Sequence, residues 1–140
     1  MRKTIYETNY DRMVKLGVIT KDGVVPDQCR RSRVPGLMDW VVERLPHLDG
    51  ASGNDGGSAV SLAHYFEQNS DMRKDPEMVV LIYPSQQMVE AFTFEMSLPP
   101  IYQQVFPEPE KFHPQLRKEL NTFLRRWLNN LIEQRHSLLE

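Results

Sequence analysis

Cysteine is almost absent from this chain of 140 residues, which contains only Cys29. A single cysteine excludes a disulfide within the chain and any zinc or iron–sulfur site that needs several cysteines, and it is typical of a reducing compartment. Long apolar runs are also absent, because no stretch approaches the roughly 18 apolar residues of a transmembrane helix. The N-terminus lacks the apolar core of a signal peptide. We therefore expect a cytoplasmic protein without a membrane partner.

Signatures of several enzyme classes are missing as well. Gly56-Gly57 lacks the glycine spacing and the Lys-Ser/Thr of a phosphate-binding loop, and no serine lies in a Gly-x-Ser-x-Gly motif. No two histidines have the spacing of a helical zinc site, so we expect neither a resident metal nor a cofactor. A nucleophilic pair of Cys29 and a distant histidine stays open, because such partners need not be close in sequence, but no family signature surrounds this cysteine.

The net charge of −2 is small, but the charges are unevenly distributed. Residues 1–35 carry eight basic and four acidic side chains, residues 36–113 carry four and twelve, and residues 114–140 carry five and three. These segments either neutralise one another within the fold or present two basic ends to a polyanion. For the second alternative, the candidate nucleic-acid contacts are Arg30, Arg31, Arg33, Arg117, Lys118 and Arg125.

Helical periodicity is clear near both ends of the chain. Residues 4–16 carry apolar side chains at helical spacing, with Thr4 or Thr8 as a candidate N-cap and Gly17 as a left-handed C-cap. A second helix is predicted from Pro114, which suits a first helical turn, to about residue 136. Its apolar stripe comprises Leu116, Leu120, Phe123, Leu124, Trp127, Leu128, Leu131 and Ile132. Between the first helix and the next apolar segment, residues 18–35 predict a basic, irregular stretch.

Residues 36–106 predict a sheet. The sequence favours strands at 37–46, 59–66, 78–83 and 88–96, and an edge strand at 101–106. Residues 47–58 predict a long flexible loop and residues 84–87 a turn. The predicted architecture is a single α+β domain over residues 1–140, an antiparallel sheet of four to five strands with N- and C-terminal helices packed on one face. We expect the other face to be at least partly open.

The densest polar stretch runs from His64 to Glu77, between two of the predicted strands. Its candidate binding residues are His64, Tyr65, Glu67, Gln68, Asn69, Asp71, Asp75 and Glu77. Strand alternation places His64 on the same face as Leu62 and predicts that it is partly buried. The oxygen-rich side chains would suit a hard cation, but their spacing is not that of a calcium-binding helix-loop-helix. Three interpretations remain: turn formers that join two strands, a binding site, or a metal or catalytic site.

Five motifs carry a resemblance to a known family: His64-Tyr65, Glu67-Gln68-Asn69-Ser70-Asp71, Asp75-Pro76-Glu77-Met78, Tyr102-Gln103-Gln104-Val105 and the stretch from Pro114 to Leu131. With these motifs, the span from Leu62 to Leu131 resembles a family of small uncharacterised bacterial proteins that are often encoded on phages, plasmids and integrative elements. Ser70 stands where that family usually has glycine. The resemblance implies a domain of unknown function in the setting of a mobile element.

We interpret the chain as a non-enzymatic binding or adaptor domain, for which a protein is the expected partner. A nucleic-acid-associated accessory factor of a mobile element is one alternative, and it requires the candidate basic residues to share a face. A metal-dependent enzyme built on the 64–77 stretch is another, and it requires at least three of the head groups there to converge on one ion.

Overall fold

Two α-helices and six strands make up the part of the chain that the computed structural model describes, residues 3–54, 56–68, 71–97 and 100–139, without the side chains of residues 66–68 and 71–75. In chain order these elements are α1 (Ile5–Leu16), β1 (Arg30–Ser32), β2 (Asp39–Arg44), β3 (Ser58–Gln68), β4 (Asp71–Tyr83), β5 (Met88–Met96), β6 (Ile101–Gln104) and α2 (Pro114–Glu133). One short 3-10 helix, Pro46–Leu48, lies between β2 and β3.

The six strands form one antiparallel sheet in the order β1-β2-β3-β4-β5-β6, in which each strand pairs with its neighbour in sequence. Both helices pack against β5 and against each other. This arrangement confirms the predicted α+β fold with helices from the two ends of the chain. The sheet has one strand more than predicted, because β1 forms within the segment that was expected to be irregular. Its sequence, Arg-Arg-Ser, carries no apolar alternation, so only pairing with β2 makes it a strand.

The predicted ends of α1 are confirmed by its capping contacts. The Thr4 side chain accepts a hydrogen bond from the Glu7 N–H, and the Glu7 carboxylate accepts one from the Thr4 N–H, which makes a capping box. Gly17 ends the helix with φ of 91°, in the left-handed region that favours glycine. A Cβ atom there would also lie 3.0 Å from the backbone nitrogen of Leu139. Glycine therefore also leaves the space in which the C-terminal segment packs against the end of the helix.

The apolar stripe of α2 faces the core, as predicted. Leu120, Leu124, Trp127, Leu128 and Leu131 are buried, and the remaining three stripe residues pack at the margin. The helix ends at Glu133, slightly before the predicted end. The His136 N–H then donates to the Leu131 carbonyl at 3.0 Å and the Arg135 N–H to the Ile132 carbonyl at 3.1 Å, with Arg135 at φ of 67°. This pair of bonds turns the chain back and buries His136.

The structure of the polar stretch at residues 64–77 differs from its prediction. It was expected to be mainly a connection, but β3 continues to Gln68 and β4 begins at Asp71, so that most of the stretch belongs to two paired strands. Cross-strand hydrogen bonds override the turn preference of the local sequence. The register shifts between Ala63 and Tyr65, opposite the Asp75-Pro76 pair. Such a bulge accommodates proline, which has no N–H for the ladder. Asn69 and Ser70 lie outside the described residues.

The segment between β2 and β3, predicted to be a flexible loop, packs onto the sheet face away from α2. Ser52 is buried there, and its hydroxyl lies 2.7 Å from the hydroxyl of Tyr83. Ala59, Leu81 and Tyr83 on that face are buried as well. This face is therefore covered in part by its own loop.

A bulge in β5 gives α2 a specific attachment point. Val79 pairs with Thr93 whereas Val80 pairs with Ala91, so Phe92 is the extra residue. The Ala91 N–H donates to Asn121 Oδ1 at 2.9 Å, and Asn121 Nδ2 donates to the Arg117 carbonyl at 2.7 Å. Asn121 is buried, so its amide satisfies a buried backbone donor that the strand ladder leaves unpaired.

We expect Asn121→Ala to lower the free energy of unfolding by about 1–3 kcal/mol, because the buried Ala91 N–H would lose its acceptor. Denaturant unfolding of the wild type and the variant measures this difference. Asn129→Ala is the matched control, since Asn129 is exposed on the same helix and bonds only to Arg12 among the described residues. Equal losses in the two variants would contradict the role given to Asn121.

Candidate functional site

A groove of about 330 Å³ runs beside the second half of α2, and it is called the α2 groove below. Its lining residues are His64, Pro76, Phe123, Arg126, Trp127, Asn130 and Gln134. Four of them belong to α2 and Gln134 is the C-cap of that helix; these five recur at spacings of three or four positions, so they lie along one side of the helix. His64 comes from the middle of β3 and Pro76 from the middle of β4, so the groove is bounded by the helix and by these two paired strands.

Both ring nitrogens of His64 are engaged in hydrogen bonds. The Trp127 indole N–H donates to His64 Nε2 at 2.9 Å, and His64 Nδ1 lies 3.4 Å from the Asp39 carbonyl oxygen. An indole nitrogen can only donate, so Nε2 must be unprotonated and the proton sits on Nδ1. Burial lowers the pKa of His64, which favours the same neutral form. His64 is thus a neutral residue that fixes the position of the Trp127 ring.

A second histidine, the buried His136, extends this aromatic cluster beneath the groove. The ring centroid of His136 lies 6.0 Å from that of His64 and 6.2 Å from that of Trp40. His136 Nδ1 is 2.9 Å from Ser32 Oγ, which also accepts the Ser137 N–H at 3.0 Å. Burial, followed by the neighbouring His64, lowers the pKa of His136. Two neutral histidines therefore support the wall that Trp127 forms.

The candidate residues of the 64–77 stretch divide between the two faces of the sheet. His64 lies on the α2 face, whereas Tyr65 and Glu77 lie on the opposite one by strand alternation. On that face, Glu77 Oε2 accepts a hydrogen bond from Ser61 Oγ at 2.6 Å, and the Arg31 guanidinium lies 5.6 Å from the centre of the Tyr65 ring. The structure therefore does not bring these three candidates together.

The remaining members of the set lie outside the described residues: the side chains of Glu67, Gln68, Asp71 and Asp75, and Asn69 as a whole. Across the part of the chain that the structure describes, no group of three or more His, Cys, Asp or Glu side chains is arranged to hold a metal ion.

The candidate basic residues near the N-terminus make contacts within the protein. The Arg30 guanidinium donates to the carbonyls of Gly17 at 2.6 Å and Val18 at 2.9 Å. Arg31 and Arg33 lie 3.6 and 3.4 Å from the carboxylate of Asp39. These contacts tie β1 to the end of α1 and to β2.

The candidate basic residues on α2 have different surroundings. Arg117 lies between two aromatic rings, those of Tyr6 and Phe112, whereas Lys118 and Arg125 are exposed. Arg30 and Arg117 are therefore at least half enclosed by protein. The six basic residues do not form one continuous exposed face.

Sequence reasoning found His64 but missed the helical side of the groove. Phe123 and Trp127 were assigned to the core stripe of α2; Trp127 is buried there, and Phe123 packs at the margin of the stripe. The signal that could have revealed the groove is the polar series Arg126, Asn130 and Gln134, which follows one edge of the stripe at four-residue spacing.

The lowered pKa of His64 predicts that the fold loses stability in mild acid. Below about pH 6.5, the ordinary value for histidine, the unfolded chain binds a proton that the folded chain resists, so the free energy of unfolding falls as the pH falls. We expect His64→Gln to reduce this loss between about pH 7.5 and about pH 5, measured by denaturant unfolding at each pH. His47→Gln, at an exposed site, is the control and should keep the wild-type slope. An unchanged slope in His64→Gln would contradict the prediction.

Comparison with known proteins gives a family for the chain. No helix in the described part is long and apolar enough to cross a membrane. Neither a curated protein nor a solved structure matches the sequence. The model of a domain of unknown function, DUF6908, matches residues 8–137, which include most of α1, the six described strands, all of α2 and every residue that lines the α2 groove. The chain therefore belongs to the DUF6908 family.

Proposed function

We propose that the α2 groove docks a segment of a protein partner, so that the chain acts as a non-enzymatic binding domain. The observation that carries this proposal is the composition of the groove. Two aromatic rings, Phe123 and Trp127, lie beside the exposed Arg126 and the exposed amides of Asn130 and Gln134. Aromatic residues and arginine are enriched where protein interfaces gain most of their binding energy.

The state of His64 supports binding rather than proton transfer. A general acid or base needs a nitrogen that can reach the substrate, and both nitrogens of His64 are bonded to other protein groups. Its hydrogen bond instead holds Trp127 in place before a partner arrives. A wall that is already fixed lowers the entropic cost of binding.

The lining residues define the chemistry of the partner segment. Phe123, Trp127 and Pro76 offer apolar surface for one large aliphatic or aromatic side chain. Arg126 offers a guanidinium that pairs well with a carboxylate. The amides of Asn130 and Gln134 can bond to the main chain of a bound segment. We therefore expect a segment that carries Asp or Glu close to a large apolar residue. In the bacterial mobile-element setting that the sequence resemblance implies, such a domain would be an adaptor.

Selection from a phage-displayed library of short random peptides tests this function. Peptides selected on the wild-type protein are expected to share a carboxylate close to a large apolar residue. Arg126→Glu should weaken their binding by about tenfold or more, because a charge-assisted hydrogen bond is lost and replaced by repulsion. Fluorescence anisotropy of labelled synthetic peptides measures the dissociation constants.

Arg125→Glu is the matched control, because Arg125 is exposed on the same helix, does not line the groove and gives the same change in net charge. It should leave peptide affinity unchanged within error. The proposal is wrong if selection yields no peptide with the expected pattern, or if the selected peptides bind the Arg126→Glu protein as tightly as the wild type.

A further inference from the structure

A second groove, of about 420 Å³, lies between the start of α1 and the first turns of α2. It is called the Arg117 groove below, and it shares no lining residue with the α2 groove. Its walls are formed by Ile5, Tyr6, Phe112, Pro114, Lys118 and Thr122, with Arg117 and Asn121 between them. Its volume falls within the range of about 300–1,000 Å³ that is usual for small-molecule sites.

Two aromatic rings hold the Arg117 side chain in this groove. The guanidinium carbon lies 5.1 Å from the centre of the Tyr6 ring and 4.7 Å from that of Phe112. Contacts of this kind attract the cation through the ring quadrupoles and do not consume its N–H donors. The guanidinium is thus positioned while its capacity to donate hydrogen bonds is preserved.

The donors of Arg117 are not satisfied by the described residues around it. Its Nε is buried and has no hydrogen-bond partner in the described part of the chain, and its Nη2 lies 4.0 Å from Glu90 Oε1, which is too far for a hydrogen bond. About one third of the Arg117 side chain is exposed. The guanidinium can therefore reach a molecule in the groove.

Glu90 is a fixed carboxylate behind this arginine. It is 5% exposed, and its Oε1 is buried without a hydrogen-bond partner among the described residues. Its other oxygen, Oε2, accepts a hydrogen bond from the Tyr83 hydroxyl; burial, followed by this bond, raises the pKa of Tyr83 to about 12. Because Tyr83 holds Glu90 at this distance, Glu90 neutralises part of the charge of Arg117 without occupying its donors.

The rest of the groove adds positive charge and apolar surface. Lys118 is a second cation in the lining, and none of the described residues that line the groove is acidic. The first turn of α2 contains no acidic residue and its N-cap residue, His113, makes no side-chain capping bond, so the positive end of the helix dipole is uncompensated there. Ile5, Tyr6 and Phe112 provide the apolar part.

We propose that the Arg117 groove binds a small carboxylate that carries an aromatic or aliphatic substituent. The carboxylate pairs with the guanidinium of Arg117 and the ammonium of Lys118, and the substituent packs on Ile5, Tyr6 and Phe112. A planar carboxylate suits the fork of N–H donors on a guanidinium. The size of the groove and its apolar walls favour such a molecule over inorganic phosphate, which has no apolar part.

NMR titration of the full-length, ¹⁵N-labelled protein with 3-phenylpropionate tests the site. We expect saturable shifts at the amides of Ile5, Tyr6 and residues 115–122. The neutral analogue 3-phenylpropionamide should bind about tenfold more weakly or worse, because it cannot form the charge-assisted pair. Inorganic phosphate should cause smaller shifts and should not displace 3-phenylpropionate at equal concentration.

Two variants and two controls complete the experiment. Arg117→Gln and Lys118→Glu should each weaken 3-phenylpropionate binding, the first by about tenfold or more. Lys118 is exposed, so its variant keeps the test valid if loss of Arg117 disturbs the Glu90 region. Arg125→Gln, on the same helix outside both grooves, and Arg126→Glu, in the α2 groove, should bind as the wild type does.

The proposal is overturned if the shifts do not saturate, if the amide binds as tightly as the acid, or if both Arg117→Gln and Lys118→Glu retain wild-type affinity. Equal binding of phosphate would overturn the role of the apolar walls. None of these outcomes bears on peptide docking in the α2 groove, because that site uses other residues.

Discussion

The hydrogen bond from the Ala91 N–H to Asn121 fixes how α2 lies along the sheet, because it joins a bulge in β5 to one residue of the helix. A bulge frees a backbone donor from the strand ladder, and a buried donor must find another acceptor. Asn121 meets this requirement only when α2 keeps one register and one rotation over the sheet. The apolar stripe then faces the core, and the same rotation of the helix fixes the directions in which the residues at the two margins of the stripe project.

Both grooves depend on these margins. At about 100° per residue, Arg126 and Asn130 project from one side of the stripe, and Lys118 and Thr122 project from the other. The first margin meets β3 and β4 at His64 and Pro76, and the second meets the start of α1 at Ile5 and Tyr6. One helix therefore builds two surfaces with different chemistry, and occupation of one does not block the other.

The features that local sequence determines were predicted well. The N-cap at Thr4, for which Thr8 was the alternative, the left-handed C-cap at Gly17 and the apolar stripe of α2 depend on residues a few positions apart, and all three are confirmed. Strand β1 and the extended ends of β3 and β4 were missed, because their polar residues become strands only through pairing with distant partners. Contacts between residues far apart in sequence also explain why the candidate site was only partly predicted. His64 was recognised from its strand position, but its bond to Trp127 joins residues that are 63 positions apart in sequence.

The uneven charge of the sequence has different consequences at its two ends. Near the N-terminus, Arg31 and Arg33 lie close to Asp39 of the acidic central segment, so opposite charges offset one another within the fold. On α2, the nearest described carboxylate to Arg117 is held at 4.0 Å by its own bond to Tyr83, and Arg126 is exposed in a groove. An arginine contributes the most free energy to binding a carboxylate ligand when its N–H donors are unused and its position is already fixed. The cations of α2, rather than those of β1, therefore have the properties that recognition of an acidic ligand requires.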